Sequence, residues 1–230
     1  GREIDWLVAE HERTTAATAR APAAIALAVN ADSLSTWFAP MLRWFARGKA
    51  LLHLRIEDQD RTADLLERAE VVAAVSTRAE PPPGCRATPL GSLRYLPACA
   101  PEVLPPEGLP PERLRGWLAA TPTLRFDVDD VLPDVLARQV GLSPASLRAH
   151  FVPSNREYLD AVRAGLGWSV LPEAQVADDL AAGRLVRLPT AHTVDVALHW
   201  HRWRIASPLL DAMDDEVRRC AAQGLRGYRA

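Results

Sequence analysis

Ala24-Ile25-Ala26-Leu27-Ala28-Val29-Asn30-Ala31-Asp32-Ser33-Leu34-Ser35-Thr36-Trp37-Phe38 runs a buried strand straight into the start of a helix. Residues 24–29 carry no charge, as a strand covered on both faces requires. Asn30, Asp32 and Ser33 are each good helix N-caps. Beyond them Leu34, Trp37, Phe38, Met41, Leu42 and Phe45 recur at helical spacing, which predicts one apolar face of a helix over 33–47. Pro40 lies inside that span and should kink it, or mark where a first turn gives way to the main helix. The C-terminal edge of a parallel strand beside a helix N-terminus is where α/β proteins hold small anionic groups.

Outward from this junction the units alternate. The pattern predicts strands at 24–29, 50–56 and 71–76 with a helix at 60–69 between the last two, a rhythm of right-handed βαβ crossovers and a parallel sheet. A helix over 3–18 and a linker over 12–24 precede them. Pro81-Pro82-Pro83-Gly84 breaks the pattern, and strands near 85–90 and 93–98 follow. Helices at 111–119, 130–140, 154–164 and 173–182 then alternate with strands at 123–126, 148–152, 167–171 and 184–188. Gly165 and Gly183 stand where helix C-caps are needed. A last strand over 193–203 leads to a helix with Ser207 as N-cap and Pro208 at its first position. The economical place for that final pair is against the first α/β unit. This layout predicts two lobes, 22–80 with 189–230 and 81–188, after a short leading segment 1–21. Two crossings between lobes create a cleft, a preferred ligand site.

Composition narrows the function. The 230 residues carry 27 basic and 29 acidic side chains, a net charge of −2, so there is no electrostatic case for nucleic-acid binding by these residues. Cys85, Cys99 and Cys220 are odd in number and far apart, which predicts reduced structural thiols rather than a disulfide framework or metal site. No signal segment and no long apolar run is present, so the expectation is a soluble, cytoplasmic protein without membrane attachment. His199-Trp200-His201 places two histidines on one strand face, but a third ligand at recognisable spacing is lacking, and they read as surface or half-buried residues. No catalytic constellation, metal site or cofactor motif emerges, and the chain reads as a binding protein rather than an enzyme.

Four polar clusters each follow a predicted strand end. They are Asp32-Ser33, Glu57-Asp58-Gln59-Asp60, Asp127-Val128-Asp129-Asp130 and the capping box Ser154-Asn155-Arg156-Glu157. The helix starts at 33 and 154 suit a carboxylate, and the acidic clusters suit a cation. A basic amino acid satisfies both. The same acidic residues also serve helix dipoles, each for about 0.3–1 kcal/mol. Trp37 lies one turn into the helix bordering the cleft.

Several segments resemble the effector-binding half of LysR-type transcriptional regulators, in the lysine/arginine-export (LysG/ArgP) branch. They are Ile25–Trp37, Arg55–Arg61, Val72–Ser76, Gly91–Leu96, Phe126-Asp127 with Asp129-Asp130, Ala164–Trp168 with Leu171–Glu173, and Leu198–His201. The similarity spans roughly residues 22–222, and the Asn-Ala-Asp-Ser and Glu-Asp-Gln-Asp stretches are specific to the branch. The resemblance implies a two-lobed, periplasmic-binding-protein-like (type 2) α/β domain with the ligand cleft between lobes. It implies a cytoplasmic sensor of L-lysine or L-arginine, a homodimer or tetramer, that controls an amino-acid exporter gene. Family pockets map onto Asp32, Ser33, Glu57, Asp58, Ser154 and Asn155; Asp127 and Asp129 join them on charge grounds. Such regulators carry an N-terminal winged helix-turn-helix and a linker helix. Residues 1–21 stand only in the linker's place, so DNA contact is expected through a domain absent from this sequence. The alternative on the same fold is an extracytoplasmic solute-binding protein for an amino acid.

Overall fold

A computed structural model describes residues 24–48, 50–57 and 62–227. The predicted leading helix and linker lie outside the described residues, as do Asp58, Gln59 and Asp60. Among the described residues no helix is long and apolar enough to cross a membrane.

The opening stretch forms strand β1 (Ala24–Val29) and then a short helix, α1 (Ala31–Ser35). The helix does not continue to residue 47. Phe38 N–H donates to Ser33 O at 2.9 Å, closing α1 with a turn, and a second helix, α2 (Met41–Ala46), begins directly after Pro40. Proline has no N–H to give to a preceding turn and its ring crowds the carbonyl four residues back, so one helix becomes two. The apolar face survives the break: Trp37, Phe38, Met41, Trp44 and Phe45 are all buried, whereas Leu42 is exposed.

Strand β2 (Leu51–Ile56), helix α3 (Thr62–Glu67) and strand β3 (Ala73–Ser76) complete the first crossovers. Both β2 and β3 pair with β1 in parallel, β2 in the register Val29↔Ile56. After the proline run comes a single fifteen-residue strand, β4 (Cys85–Cys99), where two were expected. Gly91 passes through it with φ +109°, a conformation open to glycine, so the strand continues across the gap between the two expected ones. Ser92 there exchanges both backbone hydrogen bonds with Arg226, at 2.8 and 2.9 Å.

The chain divides into two compact units. One holds the described residues up to Leu93 and those from Ala197 onward; the other is Arg94–Val196. The passages from one to the other therefore lie within β4 and β9 (Val194–Trp203), whereas the expected boundaries fall earlier along the chain, at 80/81 and 188/189.

In the first unit the strand order is β2-β1-β3-β9, with β9 antiparallel to β3. Helix α3 covers one face, where Leu65, Leu66 and Val71 pack with Ala28, Ala74 and Cys85. In the second unit β4 pairs antiparallel with β7 (Trp168–Pro172) and with β8 (Val186–Arg187). Strand β5 (Thr123–Arg125) runs parallel to β7 and to β6 (Ala149–Phe151). The sheets are thus mixed: the parallel core of each unit is closed by a passing strand of opposite direction. Helices α4 (Leu114–Ala120), α5 (Leu132–Gln139), α6 (Asn155–Arg163) and α7 (Glu173–Ala181) belong to the second unit. There Leu159 and Val162 of α6 and Val176 of α7 pack on Leu96, Leu124 and Leu171. Gly165 and Gly183 follow α6 and α7 with φ +78° and +69°, the left-handed cap that glycine accepts without strain.

The last helix, α8 (Pro208–Gly224), starts as expected, with Ser207 Oγ accepting from Leu210 N–H at 3.4 Å. It is bound to β9 by charge. Asp214, 3% exposed, accepts from Trp200 Nε1 at 2.8 Å and pairs with Arg202 Nε at 3.0 Å and with Arg86 of β4. Arg202 is 1% exposed and reaches Asp211 at 2.7 Å. A buried carboxylate that accepts from Trp200 and Arg86 and lies against the Arg202 guanidinium cannot be removed cheaply, because removing it strands buried cationic and indole groups. Asp214→Ala is therefore expected to lower unfolding free energy by about 3–5 kcal/mol, read as a shift of the urea midpoint at neutral pH. A change below about 0.5 kcal/mol contradicts this role.

Candidate functional site

The candidate residues gather at strand C-terminal edges, one set in each unit. In the first, α1 starts where β1 ends, and Glu57 N–H donates to Val29 O at 3.3 Å just past β2. The junction of β1 with α1 and the end of β2 are thereby joined, bringing Asp32, Ser33 and Glu57 to one edge. Asp32 and Glu57 are half-buried. Ser33 is fully buried and its Oγ has no hydrogen-bond partner. A buried hydroxyl in that state costs about 1–3 kcal/mol, so it is a group to which a ligand acceptor or donor returns energy. Asn30 stands at the N-cap position of α1 without a side-chain cap bond to the helix. Trp37 is 3% exposed and sits edge-on to Phe38, 5.4 Å between ring centroids. A Cβ on Gly224 would come within 2.5 Å of Trp37 Cβ, so glycine at the end of α8 lets Trp37 seat in the core. Its indole Nε1 is buried without a partner.

In the second unit β5 and β6 end side by side, in the register Arg125↔Phe151 with Val152 N–H donating to Arg125 O at 3.0 Å. The loop 126–131 and the start of α6 are thus neighbours. Within the loop the aspartates do different work. Asp130 accepts from Phe126 N–H at 3.0 Å and Leu132 N–H at 3.1 Å, and so shapes the turn into α5. Burial pushes its carboxyl up from its ordinary value, against the pull of those two amides and Arg125. Arg125 pairs with Asp134 and donates to the Asp130 carbonyl at 2.6 Å. Asp127 gives one oxygen to Asp129 N–H at 2.9 Å and is half-buried, while Asp129 is exposed. A carboxylate has about four acceptor positions, so Asp127 retains capacity for a cation.

At α6 the capping box takes a variant form. Ser154 Oγ bonds the Glu157 carboxylate directly, with no side-chain bond to the helix amides. That bond, first, and the Glu157 backbone amide hold the Glu157 carboxyl below its ordinary value. The first-turn N–H groups of a helix have no intrahelical acceptor, so the Ser154–Asn155 end presents donors beside the acidic loop.

Of the two histidines that read as surface or half-buried, His201 is less exposed than expected and His199 is not. His201 is fully buried and His199 half-buried, on the face of β9 opposite Trp200, which packs with Phe38 and Asp214. Alternation cannot separate the two faces of a strand that is covered on both, which is why the full burial of His201 was not read. Among the described residues no group of three metal-binding side chains exists. The three cysteines are free and buried; burial pushes Cys85 up to about 11 and Cys99 up to about 12.

With fold and geometry established, residues 21–221 match the LysR substrate binding domain. The chain belongs to that family, as an effector-binding domain of the LysG/ArgP type. It is 43% identical over 207 residues to the lysine export transcriptional regulatory protein LysG of Corynebacterium efficiens, covering 88% of this chain and 69% of that protein. It is 40% identical over 205 residues to the transcriptional regulator LysG of Mycobacterium tuberculosis, covering 89% of this chain and 66% of that one. The chain thus spans about two thirds of the length of such relatives, which are named as transcriptional regulators and not as enzymes. Full-length LysG from Corynebacterium glutamicum with bound effector Arg superposes with a TM-score of 0.80 at 35% identity, covering 97% of this chain and 76% of that one.

Burial holds the His201 ring below the ordinary 6.5, with His199 and Arg78 adding to the shift and the Arg78 backbone opposing it. The unfolded chain therefore takes up this proton first. Stability is expected to fall as pH drops from about 6.5 toward the folded-state value, by at most about 1.4 kcal/mol per pH unit. Denaturation midpoints between pH 7 and 5 check this: His201→Phe should flatten the decline, and an unchanged slope contradicts it.

Proposed function

We propose that this chain senses L-lysine or L-arginine as the effector domain of a cytoplasmic, oligomeric LysR-type regulator. The regulator controls an amino-acid exporter gene and contacts DNA through a winged helix-turn-helix outside this sequence. The two compact units serve as the regulatory lobes, and residues 1–21 take the place of the linker helix. The observation that carries the reading is the pairing, in each unit, of acidic side chains with a helix start at one sheet edge. Asp32 and Glu57 stand with Ser33 in the first unit, and Asp127 and Asp129 with Ser154 and Asn155 in the second. Asp58 belongs to the same proposed set, and Trp37 borders it.

A basic amino acid carries the complementary groups. Its carboxylate suits first-turn amides and hydroxyls, and its distal cation suits aspartate and glutamate oxygens. The arginine carried by LysG of Corynebacterium glutamicum supports this ligand class. The ligand works by population shift: it binds one arrangement of the domain more tightly and so biases the oligomer.

Asp127→Asn and Glu57→Gln each remove a charge-assisted contact and are expected to weaken arginine or lysine binding about tenfold or more. Titration calorimetry on the two variants checks this; unchanged affinity in both contradicts the cationic assignment.

A further inference from the structure

The parallel strands of the first unit end together, and β9 starts where they end because it runs the other way. Its register with β3 sets His199 opposite Ser76, the last residue of β3. His199 is thus at the same sheet edge as Ser33 and Glu57, on a strand that the sequence motifs of the site do not include. The order β2-β1-β3-β9 puts Glu57 at one end of that edge and His199 at the other, about 14 Å apart between backbones, less the reach of the two side chains.

The state of the ring follows from its surroundings. His199 is half-buried, and its Nδ1 is sealed from solvent without a hydrogen-bond partner. A proton on Nδ1 would be a buried N–H with no acceptor, so Nε2 is the ring nitrogen suited to donate, orphaned buried donors being rarer and costlier than orphaned lone pairs. Ser76, opposite His199, uses its Oγ to accept from Arg78 N–H at 3.1 Å. Two residues along the same face, His201 is sealed in the interior, its ring centroid 6.4 Å from that of His199. His199 therefore presents an Nε2–H donor at an edge whose far end is acidic.

We infer that His199 donates a hydrogen bond from Nε2 to the carboxylate of the bound amino acid, joining Ser33 and leaving the cation to the acidic groups. The inference rests on the amino-acid-sensing reading above but concerns the carboxylate, which every amino acid shares. Its test is a cycle in which L-arginine and L-argininamide are each titrated into the wild-type chain, His199→Leu and His199→Gln. The wild type is expected to prefer arginine, and His199→Leu to lose about tenfold of that preference, the worth of one hydrogen bond to a charged acceptor. His199→Gln, whose amide is also a donor, should restore part of it. Equal loss for both ligands, or no loss, overturns the inference. In wild-type protein labelled with 15N in its imidazoles, arginine should shift the His199 Nε2 resonance more than argininamide does; equal shifts overturn the inference without any variant. If no basic amino acid binds, the sensing reading fails by itself, and the cycle run with whichever amino acid binds and its amide still decides the role of His199.

Discussion

The carboxylate of Asp214 is the fixed point of the first unit. It is buried, and it is shared by Trp200 and Arg202 of β9 and Arg86 of β4. Three consequences follow from that one group. It holds α8 against the sheet, it tells β9 which face to present to α8, and it leaves the alternate residues His199 and His201 on the other face. The desolvation of such a cluster is costly, and the opposed charges with their hydrogen bonds are what make it tolerable. Its return is direction: a strand that passes between two units acquires one register at its β3 end.

Charge does two separate jobs at the sheet edges. Asp130 is consumed by the turn it makes, with two backbone amides and the neighbouring Arg125 as partners. Asp127, three residues earlier, spends one oxygen on the same loop and keeps the rest. Glu157 is likewise consumed, by Ser154 and its own backbone amide, while Ser154 makes no side-chain cap bond to α6. Each cluster therefore contains a residue that builds the loop and another that a ligand can use, and composition alone does not separate them.

Much of this was legible in the residues. The uncharged run 24–29, the capped start of the last helix at Ser207 and Pro208, and Gly165 and Gly183 at helix ends all follow from local physics, and the structure has them where they were read. The family resemblance was legible in the same stretches. What local reading missed was nonlocal. Two strands were expected near 85–90 and 93–98, yet β4 runs unbroken through Gly91, with Ser92 paired to Arg226. Pro40, by contrast, read as a kink or as the point where a first turn gives way to the main helix, and the second is what the structure has. The Arg86–Asp214–Arg202 cluster joins residues 128 positions apart, and His199 comes to the edge of the parallel strands only through its pairing with Ser76. No spacing in the chain encodes either.

Sensing of a basic amino acid is tested most directly by thermal unfolding of the chain against each of the twenty amino acids. A ligand at about 100 times its Kd stabilises the bound state by about 2.7 kcal/mol, which for a chain of this size raises Tm by about 5 °C or more. L-arginine or L-lysine should give that rise, with the acidic and apolar amino acids giving none. A flat response to both, with another amino acid raising Tm instead, contradicts the assignment of the acidic edges to a cationic ligand.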